Sequence, residues 1–243
     1  MKIRKEEWRS QGHRRSEGHR VCARGEVIRT HFENVGKQPN IVCRVESFCV
    51  AVQKFDDDRR QLVRRMGFEG LLCLDMKNIP RQFCYWLMTR VGAHGTVVFG
   101  DGVMLPLGAK QVRYILGIPM GANLVPTHVD MECEEEFQNV NRIIDLYGVG
   151  SKKETISLAA ASRVMCPLDD SGEIFPLGDD EQDQEDFMTA FMVVVLGKLI
   201  CTTTNSSNMA RALVPVVTVA SRAIDFDWCS FTLAWLCDTA ARF

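Results

Sequence analysis

The stretch DFMTAFMVVVLGKLI, residues 186–200, decides the fold. It is apolar on nearly every face, which in a soluble chain marks a helix buried all round. Gly197 and Lys198 interrupt it, so it falls short of the roughly 18–20 uninterrupted apolar residues a bilayer span needs. On its C-terminal side, Asn205-Ser206-Ser207-Asn208 offers N-cap chemistry for a helix over residues 209–223. Pro215 is expected to kink that helix, because it removes a backbone donor and crowds the preceding turn. Asp225 or Asp227 then caps a last helix carrying Trp228, Phe231, Leu233, Trp235 and Leu236. These three helices are the expected core.

Toward the N-terminus, Phe137, Val140, Ile143, Ile144 and Tyr147 form a stripe at helical spacing. Glu134, Glu135 and Glu136 stand at the positive end of that helix, and Gly148 and Gly150 stop it. Ile156 to Met165 predicts another helix, ending before Pro167, and residues 168–185 read as a mobile acidic loop. Further upstream, Thr96-Val97-Val98-Phe99 and Val103-Met104-Leu105 flank Gly100-Asp101-Gly102, a β-hairpin pattern with Pro106 ending its second strand. Gln111, Val112, Ile115 and Leu116 mark a short helix closed by Gly117. Residues 81–91 follow Pro80 as a helix. Phe48, Val52, Phe55, Leu62, Val63 and Met66 suit helix interrupted at Asp56-Asp57-Asp58, with Gly67 as a C-cap. The fold class is therefore mainly α: a multi-helix globular domain over residues 46–243 with one small β-hairpin near residues 96–105.

Residues 1–45 differ. They show no periodicity and carry eleven Lys and Arg against five Asp and Glu, a local +6 that leaves −8 for the rest of a chain of net charge −2. This segment reads as a basic, disordered tail, with weak nucleic-acid contact as its functional reading. Hydrophobic residues at 46% and charged residues at 25% exclude disorder of the whole chain. Met1 opens on Lys2, Arg4, Lys5, Glu6 and Glu7, with no apolar signal segment. The ten cysteines accordingly read as reduced thiols of a nuclear or cytoplasmic protein.

A search for chemistry finds no assembled site. Cysteine catalysis needs a histidine near a thiolate, and the body offers only His94 and His128, both in loops. Cys43-x5-Cys49 and Cys229-x7-Cys237 match no zinc spacing. Gly148-Val149-Gly150-Ser151-Lys152-Lys153 follows a helix rather than a strand and lacks phosphate-loop spacing. Lys198 reads as a helix lysine with its amine reaching for solvent. Asp179, Asp180, Glu181, Asp183, Glu185 and Asp186 read as one solvated run rather than a carboxylate pair. No catalytic, cofactor-binding or metal-binding residue is assigned, and no cofactor, small-molecule substrate or membrane partner is expected.

Ile79 to Leu87 (IPRQFCYWL), Leu105-Pro106-Leu107, Val112 to Pro119 (VRYILGIP) and Gly121 together resemble the aminotransferase-like plant mobile domain family. Lys198-Leu199-Ile200-Cys201 and NSSNMARALVP, residues 205–215, resemble its transposon-derived version, so the likeness covers about residues 60–243. The resemblance implies no transaminase activity and no catalytic residues. It implies a non-catalytic interaction or scaffold domain in a nuclear protein with an unknown protein partner. In such proteins the region often precedes a ubiquitin-like-protein-specific cysteine protease, whose residues would lie beyond Phe243. A truncated N-terminal part of such a polyprotein is the alternative reading.

Overall fold

The structure, a computed structural model, describes residues 44–92, 95–99, 103–129, 133–150, 154–202 and 207–242. It is mainly helical. Its centre is the apolar stretch of residues 186–200, which lies in helix α7 (Glu181–Val195) and the π turn that extends it over Leu196–Ile200. From Phe187 to Gly197 every residue but Thr189 is buried. Phe191 sits at the centre, with ring centroids 6.2 Å from Phe48, 6.4 Å from Phe55, 6.1 Å from Phe68 and 6.1 Å from Phe187.

Helices α1 (Val45–Gln53) and α2 (Asp57–Arg65) supply the first layer over α7. The acidic break between them is a cap: the Asp56 carboxylate accepts from the Arg59 amide at 2.9 Å. Gly67, at φ +79°, turns the chain into a 3-10 turn over Glu69–Cys73. Helix α3 (Arg81–Met88) then leads to strands β1 (Val91–Gly92), β2 (Thr96–Val98) and β3 (Met104–Pro106), an antiparallel sheet in that order. The hairpin of the sequence reading is present as β2 and β3, with a third strand before it; its Gly100-Asp101-Gly102 turn lies outside the described residues.

Pro106 is the last residue of β3, as the sequence implies, and it still pairs with Thr96. Phe99 donates to the Val103 carbonyl at 2.8 Å and Leu107 to that of Gly95 at 2.6 Å, so the alternation of antiparallel pairing turns the Met104 and Pro106 backbones toward the open edge. A proline is tolerated there because no donor is needed.

Helix α4 (Ala109–Leu116) ends at Gly117, φ +59°, as its sequence implies. Helix α5 (Glu134–Tyr147) follows, with Ile143, Ile144 and Tyr147 buried. A second antiparallel sheet was not foreseen: β4 (Gly148–Val149), β5 (Thr155–Ser157) and β6 (Asn208–Ala210) pair in that order. It corrects two expectations. Ile156 belongs to β5, and helix α6 (Leu158–Met165) starts after it, capped by the Ser157 hydroxyl accepting from the Ala160 amide at 3.1 Å. There is also no continuous helix over residues 209–223. Residues 208–210 pair with β5, then a 3-10 turn (Arg211–Leu213), a single α turn α8 (Val214–Val217) and a 3-10 segment (Ala220–Asp225) follow. Pro215 kinks nothing, since it occupies the first turn of α8, where a missing N–H costs no hydrogen bond. Asn205 and Ser206 lie outside the described residues.

Residues 168–180 are tied down rather than loose. The Asp169 carboxylate accepts from the Ser171 amide (2.9 Å), the Ser171 hydroxyl (2.6 Å) and the Glu173 amide (2.9 Å). Lys54 donates to the Gly172 carbonyl at 3.1 Å. The buried Arg59 donates to the Phe175 carbonyl at 3.0 Å and lies over the Phe187 ring. The final helix α9 (Trp228–Arg242) is capped by Asp227, which accepts from the Ser230 amide at 2.9 Å. Its C-terminal half closes a small second cluster with Val91 and Val97.

Candidate functional site

A polar cleft of about 370 Å³ lies between α5, α7 and the segment after α8. Arg142 of α5 is its fixed point. The guanidinium donates to Glu185 at 3.3 Å and, at closer range, to Asp186, both in the first half of α7. Burial alone would lower the Arg142 pKa, but the hydrogen bonds and charges of Asp186 and Glu185 outweigh it and raise it. The remaining wall mixes polar side chains, Glu135 and Asn139 of α5, Thr189 of α7, then Thr218, Ser221 and Arg222, with the apolar Ile143, Leu146, Val217 and Ala220. Beside this ion triad the Tyr147 phenol is buried without a hydrogen-bond partner among the described residues. Burial pushes its pKa up to about 12, with Asp186 adding to the shift and Arg142 opposing it.

This arrangement corrects the reading of the acidic run. Glu185 is not a loop residue but, like Asp186, a helical one, and the two join α7 to α5 across 43 and 44 positions of chain. Asp180 is the α7 N-cap, accepting from the Asp183 amide at 2.6 Å. Arg142 carried no signal in the sequence beyond its place on the polar flank of an apolar stripe.

Among the described residues the other sequence candidates do not meet. His94, Cys43 and residues 151–153 lie outside the described residues. His128 is exposed and its Nδ1 lies 2.9 Å from the Thr127 hydroxyl. The Cys229 thiol donates to the Ile118 carbonyl at 3.4 Å; burial pushes its pKa up to about 11, with Asp227 adding and Arg113 opposing. Burial also raises Cys201 and, against the charges of Arg59 and Lys54, Cys166. Raised thiols stay protonated at neutral pH, the opposite of an activated nucleophile. Lys198 is half-buried in the π turn, and desolvation followed by the charge of Arg44 lowers its pKa. Among the described residues no group of three or more His, Cys, Asp or Glu could hold a metal ion, and no helix is long and apolar enough to cross a membrane.

The Leu-Gly-Ile-Pro segment has a clear structural role. Gly117 packs on Gly70, where an added Cβ would meet the Gly70 Cα at 2.7 Å. A Cβ on Gly121 would run into the backbone of Asp225 and Phe226, to which Gly121 and Asn123 donate at 3.0 Å each. Ile118 and Pro119 are buried between these contacts. The segment thus clamps the 3-10 turn at Glu69–Cys73 to the start of α9. Its outer side is unlike its inner one. Tyr114 is 82% and Ile115 72% exposed, and Lys110 and Arg113 stand beside them without ion-pair partners among the described residues.

No curated protein and no solved structure matches this chain. A family model does, over residues 41–243. That match spans well over half of the sequence, and the chain belongs to the family described as Domain of unknown function (DUF8566).

Proposed function

We propose that the domain is a non-catalytic protein-interaction module of the plant-mobile-domain type, acting in a nuclear protein, and that α4 is its docking face. The observation that carries this is the outward side of that helix. Lys110, Arg113 and Tyr114, at i, i+3 and i+4, share one side, with Ile115 adjacent, while Val112 and Leu116 pack inward. A partner segment that is acidic and carries apolar anchors complements this face in both charge and hydropathy. Covering Tyr114 and Ile115 is worth about 1.5–3 kcal/mol each before the costs of association. The clamped glycines beneath α4 keep it rigid, so little ordering is needed on binding.

The test is photo-crosslinking in nuclei from p-benzoylphenylalanine at position 114. The expected product is a discrete adduct to a protein, lost in a K110E/R113E background that retains wild-type thermal stability. No adduct, or one indifferent to charge reversal, removes α4 as the docking face. A second reading, nucleic-acid contact, is favoured by the +6 charge of residues 1–45. Such binding should weaken steeply with salt and vanish on deletion of those residues. Binding that survives the deletion eliminates the tail's role.

A further inference from the structure

We infer that the cleft between α5, α7 and the Ala220–Asp225 segment binds a small zwitterion, a free amino acid or short peptide, with its ammonium on Glu135 and its carboxylate on Arg222. The cleft's charged lining is only half paired. Four charged side chains line the cleft: Glu135, Arg142, Glu185 and Arg222. Arg142 and Glu185 satisfy each other, and Asp186 completes that triad. The exposed side chains of Glu135 and Arg222 have no hydrogen-bond or ion-pair partner among the described residues, and they do not pair with each other.

The cleft therefore offers one free carboxylate and one free guanidinium, borne on different elements. A simple anion drawn to Arg222 would share the cleft with the Glu135 charge, and a simple cation drawn to Glu135 would share it with Arg222. A ligand carrying both charges satisfies both walls, and charge-assisted hydrogen bonds are the strong ones. The intervening groups suit an amide or amino-acid backbone. Asn139 offers a donor and an acceptor, and Thr189 and Ser221 offer hydroxyls. The Thr218 hydroxyl already donates to the Pro215 carbonyl at 2.8 Å and so presents an acceptor. A cleft of about 370 Å³ lies at the small end of ligand sites, the right scale for such a molecule.

The experiment is a 1H–15N NMR titration of the full chain with glycine, glycylglycine, N-acetylglycylglycine, glycylglycinamide and inorganic phosphate. Saturable shifts are expected at the backbone amides of Asn139, Ser221 and Arg222 with glycine, glycylglycine or both, and which of the two binds tighter separates a free amino acid from a peptide. Capping either end should weaken binding about tenfold or more, the worth of one charge-assisted hydrogen bond. E135Q should bind glycylglycine no better than wild type binds the acetylated peptide, and R222Q no better than wild type binds the amide. Both variants alter exposed side chains, and an unchanged spectrum elsewhere verifies their fold. The inference is overturned by absence of saturable shifts with glycine and glycylglycine, by affinity indifferent to capping, or by phosphate binding as tightly as glycylglycine.

Discussion

The α7-centred core and the β1–β3 sheet are built to different standards. Around α7 the side chains interlock on every side, with four phenylalanine rings within 6.4 Å of Phe191. The sheet instead buries Val91 and Val97 on a small cluster and leaves Val103, Met104 and Leu105 more than half exposed. Trp86 holds this region together from outside, stacked on Phe83 at 5.7 Å, near Phe99 at 6.1 Å, and lying under the Arg90 guanidinium at 5.1 Å. One region spends its apolar residues on packing, and the other leaves them at the surface. Stability should be concentrated in the first and insensitive to changes at the edge of the second.

The largest effect should come from Phe191→Ala, which removes the shared centre of the core. A loss of about 3–5 kcal/mol in urea unfolding is expected. A loss under 1 kcal/mol would mean that α7 is not the hub. Gly121→Ala should follow, at about 1–3 kcal/mol, because its Cβ meets backbone that cannot rotate away. That substitution tests the seam between the two regions, where α4 and α9 meet. If circular dichroism melts show no change, the clamp described for the Leu-Gly-Ile-Pro segment is wrong.

Legibility in the sequence divides along similar lines. Helices with their own periodicity and stops were readable: α5 from its stripe, α4 from Leu116-Gly117, the burial of α7 from its composition. Each of these signals is local. The β4–β5–β6 sheet was not readable, because its strands are two or three residues long and Thr155 pairs with Ala210, far along the chain. That long-range pairing took residues 208–210 away from the expected helix. Asn208 looks like part of a cap in isolation, and only its pairing with Ser157 of β5 shows otherwise. The cleft was hidden for the same reason, since the partners of Arg142 lie in an acidic run that reads as solvated until α7 is extended back to Glu181. The exposure of Tyr114 and Ile115 was equally invisible, since a helical stripe in sequence does not say which apolar residues find a neighbour.

Tyr147→Phe should raise stability by about 1 kcal/mol, because it deletes a buried hydroxyl without a protein partner. It also has a pH signature. The folded-state pKa is raised from 10.0 to about 12, so the phenol contributes no pH dependence below pH 10, and wild-type stability falls as pH rises from 10 toward 12, where the unfolded chain ionises first. The Phe variant should lose that part of the alkaline slope, measured by urea unfolding at pH 7 and pH 11. Equal slopes in the two proteins would show the phenol to be solvated.

The smallest stability effect, and the sharpest test of the sheet, belongs to Pro106→Val. The side chain is exposed, so unfolding should move by no more than about 0.5 kcal/mol. What changes is the edge. Valine adds an outward N–H beside that of Met104, turning a strand with one free donor into one with two, flanked by exposed Val103, Met104 and Leu105. Such an edge templates strand addition from another molecule. Sedimentation velocity should therefore show concentration-dependent association of P106V, suppressed by adding Leu105→Lys, which places a charge in the new interface. If P106V sediments like wild type at every concentration, the proline is not what guards the edge, and the exposed side chains of β3 are harmless because the strand is too short to recruit a partner.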